Sequence, residues 1–386
     1  MARLVFIILG LIMICASPIF ADSFWDPFID PEDGYLDVSG WSDTEEKSDR
    51  GLLPVPIIIT EPALGGLGLG AALVYMREKG PYKNAEAPSG NNAKKRPPRM
   101  VGIAGAYTLN ESWAVGGGYQ DNWLDDTIRY TGGLGYTSVN LEFYGVGEDN
   151  PPDESSLDFN LEGLFTVHDL KYRLFKTDLF AGARFLYLSS DTVFDVSSTE
   201  VISGLETEAD DGALGVTFGY DTRNNTFTPN RGCKVDVNAT SHSPSLGGDF
   251  TYQRYRAAGL MWIPLHPKVT LGLRLDSQWV NGTAPFYAVP YIQLRGIPAF
   301  RYQDETVLMG EVEATWQVVP RWSILGFAGS GRASDTLDQL DTATSRNTFG
   351  TGFRYMIARK YGLHSGVDVA AGPEDTYVYI QIGSAW

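Results

Sequence analysis

The chain has 386 residues, with 30 Lys and Arg against 47 Asp and Glu, for a formal charge of −17. Apolar residues make up 43 % and charged residues 20 %, which excludes wholesale disorder, and the acidic balance excludes the basic face that a nucleic-acid binder needs. The 43 Gly, with 9 Trp, 20 Tyr and 19 Phe, favour an all-β protein, because each Gly weakens a helix interior by about 1 kcal/mol relative to Ala.

Residues Met1 to Ala21 read as a secretory signal: Arg3 supplies the positive start, Leu4 to Ile14 the apolar stretch, and Ser17 to Ala21 a small-residue exit. Residues 22–50 are acidic, without a clear period, and read as a flexible leader. Residues 51–386 form the body. Beyond residue 20 no run of about 18 apolar residues exists, so no transmembrane helix is expected there.

From Gly66 onward the chain alternates. Val378, Ile380 and Ile382 oppose Tyr377, Tyr379 and Gln381; Phe349, Thr351, Phe353, Tyr355 and Ile357 oppose Gly350, Gly352 and Arg354; Leu363, Val367 and Val369 oppose His364, Gly366 and Asp368. Many segments reach 10 residues or more, the length that crosses a bilayer on a tilted path of roughly 9–11 residues. Trp113, Trp123, Trp262, Trp279, Trp322 and Trp386 fall near segment ends, as interfacial girdles require.

Connections are of two kinds. Asn110-Glu111, Lys176-Thr177, His266-Pro267, Pro320-Arg321 and Arg359-Lys360 read as tight turns, whereas 80–98, 192–210, 283–303 and 333–345 read as long polar loops. This predicts a transmembrane antiparallel β-barrel in the outer membrane, with short periplasmic turns and long surface loops. Fifteen strand starts are visible, the first near Gly66. An even number is expected, so sixteen strands are predicted, with a hidden turn near Gly132-Gly133 or Tyr136-Thr137.

Two motifs stand out. Asp221-Thr222-Arg223-Asn224-Asn225, followed by Pro229 and Gly232, is a strand ending on an ion pair, a polar turn and a Pro/Gly corner. Leu294-Arg295-Gly296-Ile297 sits in the connection 283–303, and the next strand presents Glu311 and Glu313 inward. In these motifs the chain resembles the BamA/TamA superfamily, the bacterial surface-antigen family of outer-membrane barrels. That family repeats a D-x-R-D-N … P-x-x-G corner, with Asn224 here in place of Asp, and a V-R-G-aromatic loop tip, with Ile297 here in place of the aromatic. The resemblance implies a loop folded into the lumen and Arg295 held by Glu313, with Glu311 as second choice. It also implies a second acid on Phe327-Ala328-Gly329-Ser330-Gly331, where Gly329 stands instead, and an assembly signal on the terminal aromatic Trp386.

Enzyme motifs, cofactor loops and metal-ligand spacings are absent, so no catalytic residue, cofactor or metal is assigned. His168, His242, His266 and His364 are scattered; His242-Ser243 is the one trace of a barrel-embedded lipid hydrolase. The expected function is translocation or insertion of protein or lipid through the lumen loop and the seam between first and last strands. Gly66, Gly68 and Gly70 would weaken the seam on the first strand, and Gly383 on the last. A passive pore or a structural surface barrel is the alternative. The expected partners are outer-membrane lipid and lipopolysaccharide, and a periplasmic protein that supplies substrate-handling modules in trans.

Overall fold

The structure, a computed structural model, describes residues 29–30, 32–38, 50–80, 96–147, 156–195 and 205–386. The expected signal segment and most of the leader lie outside them. Sixteen strands form one antiparallel sheet in strict sequence order. They are β1 (Arg50–Ile59), β2 (Gly68–Arg77), β3 (Arg99–Thr108), β4 (Trp113–Trp123), β5 (Ile128–Phe143), β6 (Leu157–Arg173), β7 (Leu179–Asp195) and β8 (Leu205–Asp221). There follow β9 (Gly232–His242), β10 (Thr251–His266), β11 (Val269–Thr283), β12 (Thr306–Val319), β13 (Trp322–Ser334), β14 (Arg346–Ala358), β15 (Leu363–Ala371) and β16 (Thr376–Ile382).

The sheet curls so that its polar face looks inward. Leu214, Val216, Phe218 and Tyr220 of β8 stand exposed on the outside, as do Val235 and Val237 of β9 and Leu273 and Leu275 of β11. The alternate positions carry paired charges such as Arg184–Asp169 and Arg256–Asp276. Period two thus sorts apolar residues toward lipid and charges toward the lumen, the reverse of a soluble barrel. Pairing of each strand with its neighbours gives the backbone polar groups their partners in lipid everywhere but at the junction of the first and last strands.

The strand count is as expected, but the sixteenth strand is elsewhere. No turn interrupts β5, which pairs with β4 and β6 through Gly132, Gly133, Tyr136 and Thr137. The extra strand is β1, paired with β2 from Arg50 to Ile59. Its run Leu52 to Ile59 is apolar on both faces and holds two prolines, so alternation does not reveal it. Gly68 and Gly70 therefore belong to the second strand, and Gly66 precedes it.

This shift also corrects the ends. The connection 78–98 shares an end with the tight turns 124–127, 174–178, 267–268, 320–321 and 359–362, hereafter the turn end. Asn110-Glu111 lies instead at the loop end, with 284–305. Two girdle assignments change as well: Trp262 is buried in the lumen, and Trp386 lies tilted against it at 5.8 Å between ring centroids.

At the turn end, part of the leader is seated. Ile29 and Leu36 form a bridge, and the short turn between them rests on the β12–β13 and β14–β15 turns.

Candidate functional site: the lumen loop and the seam

The connection 284–305 leaves β11, folds into the barrel and returns to β12. Ile292 N–H donates to Tyr302 O at 3.0 Å, and the Gln303 side-chain amide donates to Phe286 O at 2.9 Å, so the loop is braced on itself. Its apolar side chains Ile292, Leu294 and Ile297 pack with Val307 and Met309 of β12. Ile297 fills with an aliphatic group the place where an aromatic was expected. Gly296 has φ +99°, and its amide donates to the Tyr379 hydroxyl at 3.0 Å. A side chain there would be strained and would press on Ala371 and Gly372 at about 3.0–3.1 Å.

This tip directs Arg295 into the wall. Nη1 donates to Asp368 Oδ2 at 2.7 Å, and Nη2 donates to Glu313 Oε2 at 2.8 Å and to Glu311. The guanidinium lies over the Phe327 ring, 3.5 Å from its centroid. The two acids named from sequence are therefore both in contact, but Glu311 is the enclosed one, with a fully buried side chain, while Glu313 keeps 16 % of its exposure. Three acids on two strands surround one arginine.

Asp368, not anticipated as a partner, occupies the role that Gly329 leaves open. It comes from β15 and is also held by Arg354 of β14, at 2.8 Å. Alternation had already placed Asp368 and Arg354 inward; only the wrapping of β15 toward the loop brings them to Arg295. Trp386 is the other unexpected member. After β16 the chain turns inward, Gly383 N–H donating to His364 O and Ser384 N–H to Phe227 O. The Trp386 indole N–H then reaches Glu311. Gly272 leaves room for that ring, since a Cβ there would lie 2.6 Å from it.

The corner motif lies between β8 and β9. Arg223 grips Asp221 through two parallel hydrogen bonds of 3.0 Å. Asn225 Oδ1 accepts from Phe227 and Thr228 amides at 2.7 and 2.9 Å, and its Nδ2 donates to Tyr361 O at 3.0 Å. Pro229 lies in the same turn, and Gly232 at φ +100° passes so close to Thr222 O that no side chain fits. The corner thus reaches from β8–β9 to the β14–β15 turn.

Between β1 and β16 no ladder forms. Pro54 and Pro56 pair in register with Leu73 and Ala71, and the β1–β2 ladder passes both without a shift. Proline has no N–H, so that ladder uses the odd-numbered donors of β1 and leaves the even-numbered positions facing β16. There, two adjacent donors are missing. Among the described residues, a hydrogen bond crosses the seam from Ile380 N–H to Thr60 Oγ1, at 3.1 Å. At the turn end the seam is covered by apolar packing: Leu53 and Met76 against Ala358, Tyr361 and Leu363.

Beside the loop lies a cavity of about 710 Å³, lined by the charged faces of β4 to β11 together with Gln293 and Trp386. His242, at the end of β9, is not paired with Ser243. Its Nδ1 meets Asp211 at 2.6 Å and its Nε2 meets Thr240 at 3.1 Å, all buried, while Ser243 bonds Ser245. The His242-Ser243 pair of the hydrolase reading is not assembled.

Residues 186–291, from β7 through the corner motif into the lumen loop, match the Omp85 superfamily domain. Over this stretch the chain is similar to the Omp85 superfamily. Its barrel is similar in fold to a BamA structure from Haemophilus ducreyi lacking POTRA domains 1–3 (TM-score 0.55, 12 % identity, 88 % of this chain and 71 % of that one). It is also similar to CdiB from Escherichia coli (0.56, 10 %, 88 % and 63 %) and from Acinetobacter baumannii (0.55, 9 %, 87 % and 60 %). The chain therefore spans less than two thirds of either CdiB. No curated protein matches its sequence. The family match together with the barrel fold places the protein in the outer membrane.

Proposed function

We propose that this Omp85 barrel passes or inserts protein or lipid at the outer membrane by parting β1 from β16, with Arg295 and its three acids bracing the wall beside the opening. The observation that carries this reading is the seam: two prolines on β1 remove donors where a closed barrel would have a ladder. Breaking this junction costs far less than breaking any other in the sheet, because few hydrogen bonds are lost. No chemical step is assigned to the lumen, and the activity is that of a gate rather than an enzyme. Outer-membrane lipid would contact the parted edges, and a periplasmic partner would deliver protein clients.

The test uses Thr60→Cys with Ile380→Cys in a Cys233→Ser background, bridged by a short bismaleimide and reconstituted in vesicles. Two readouts apply: insertion of an unfolded outer-membrane barrel, and loss of a fluorescent phospholipid from its starting leaflet. Activity present in the unbridged protein and abolished by the bridge is the expected result. Equal activity in both forms removes the gate reading.

The cavity of about 710 Å³ supports one competing reading, a passive pore. A pore would give steady ion conductance in a planar bilayer that bridging the seam leaves unchanged.

A further inference from the structure

The acidic stretch before β1 makes more contacts than a leader needs. Arg321 lies in the tight β12–β13 turn at φ +68°, and its side chain is only 2 % exposed. Its Nε donates to Asp33 at 2.6 Å, its Nη1 to Asp37 at 2.8 Å and to Leu36 O at 3.2 Å, and its Nη2 to Asp30. Arg359, in the β14–β15 turn, adds bonds to Asp33 at 3.1 Å and to Glu32, and its amide donates to Asp37 at 2.9 Å. The Tyr355 hydroxyl donates to Leu36 O at 2.8 Å. The segment is itself shaped for this seat: Gly34 N–H bonds Asp30 O, and the Asp30 and Asp33 carboxylates accept from the Glu32 and Tyr35 amides.

The position of this seat matters as much as its strength. It lies on β13 and β14, on one side of the seam, whereas the chain continues into β1 on the other. Two strand spacings of about 4.8 Å and the seam itself separate β14 from β1. Residues 39–49 reach roughly 35 Å when extended, ample for that span. Val38 packs against the cluster that contains Leu53 and Met76 from β1–β2 together with Ala358, Tyr361 and Leu363 from the opposite side. One short segment is therefore fastened to one bank of the seam and packs against the apolar cluster that joins the two.

We infer that Asp30 and Glu32–Val38 form a strap that fastens the periplasmic end of the seam, with Arg321 and Arg359 as its cradle, and that the seam parts only after the strap leaves. This rests on the gate reading above. The recognition is electrostatic and specific in spacing: a guanidinium fork takes carboxylates from Asp30, Asp33 and Asp37, which the turn of the segment points to one centre. Removing the strap returns Arg321 to water instead of stranding it, so the undocked state is accessible. An acidic segment of a periplasmic partner that offered the same spacing would displace the strap.

The test leaves the barrel sequence untouched. The full chain is made with Asp30→Asn, Asp33→Asn and Asp37→Asn together, and a second variant carries Asp33→Arg and Asp37→Arg, which repels the cradle. Amide hydrogen exchange is followed in lipid discs over residues 30–38, β1–β2, β15–β16 and, as a reference, β6–β7. Both variants should free residues 30–38 and raise exchange at β1–β2 and β15–β16 about tenfold, as expected when a local opening becomes easier, with β6–β7 unchanged. Residues 30–38 released with the seam unchanged would overturn the strap, and so would a segment that stays protected in both variants. Because exchange needs no client, failure of the transport assay and failure of the strap are read separately.

Discussion

Asp368 accepts a hydrogen bond from Arg295 at 2.7 Å, and this one contact ties the tip of the β11–β12 loop to strand β15, four strands along the wall from β11. Arg354 shares the same oxygen at 2.8 Å. The carboxylate is therefore a junction between loop and wall, and the energetics of the lumen loop turn on it.

Asp368→Asn should be among the most damaging single changes in the lumen. Asp368 is fully enclosed, so its loss leaves two arginine side chains undercompensated, at a cost of about 3–5 kcal/mol. Glu313→Gln should cost under about 1 kcal/mol, since Glu313 is partly hydrated. The temperature at which the folded gel band disappears measures both. Exchanging Arg295 and Glu313 should fail to restore stability, because a glutamate at 295 would face Glu311 and Asp368.

Trp386→Phe separates two roles of the terminal residue. As an aromatic assembly signal, phenylalanine substitutes fully. As the donor to Glu311, the indole N–H is irreplaceable, and its loss should cost about 1–2 kcal/mol. Normal membrane assembly with a lowered melting temperature is the expected outcome; identical melting would show that the hydrogen bond contributes nothing.

Glu61 gives a pH dependence of one sign. Burial pushes its carboxyl above the usual range, against the Ala299 and Ala63 amides that donate to it. A raised folded-state pKa means that its contribution is complete at low pH and is lost as pH rises through that value. Glu61→Gln keeps an acceptor for Ala299 and removes the charge. Protease resistance of residues 284–305 should improve in this variant at pH 8 and equal the wild type at pH 4.

Asp33 has the opposite sign. Burial opposes its ionisation, but hydrogen bonds from Arg321 and the Tyr35 amide, with the charges of Arg321 and Arg359, outweigh that and hold it below the usual carboxylate range. Its stabilisation is present above the unfolded pKa and is lost as pH falls through the lower folded value. A fluorophore at residue 35 should stay immobile from neutral to mildly acid pH and become free only in strong acid. High salt at pH 7 should affect it little, because Arg321 is buried beyond the reach of screening. Release in mild acid would contradict this assignment.

Local sequence determined a great deal. Alternation specifies which side chain faces lipid and which faces the lumen, because the side-chain period of a strand is two and a membrane has only two sides to offer. It therefore placed Glu311, Glu313, Arg354 and Asp368 inward, along with the corner ion pair of Asp221 and Arg223, whose partners lie two residues apart. What alternation cannot carry is distance around a ring. Which inward acids meet Arg295, why Asp368 takes the place left by Gly329, and why Trp386 turns into the lumen depend on the curl of the sheet, which turns the inner faces of β11–β12 and β14–β16 toward the same loop. The same holds for β1, whose prolines and two apolar faces hide its period, and for Asp30, Asp33 and Asp37, nearly three hundred residues from Arg321. A contact of that separation is decided by the packed sheet and not by any pattern along the chain.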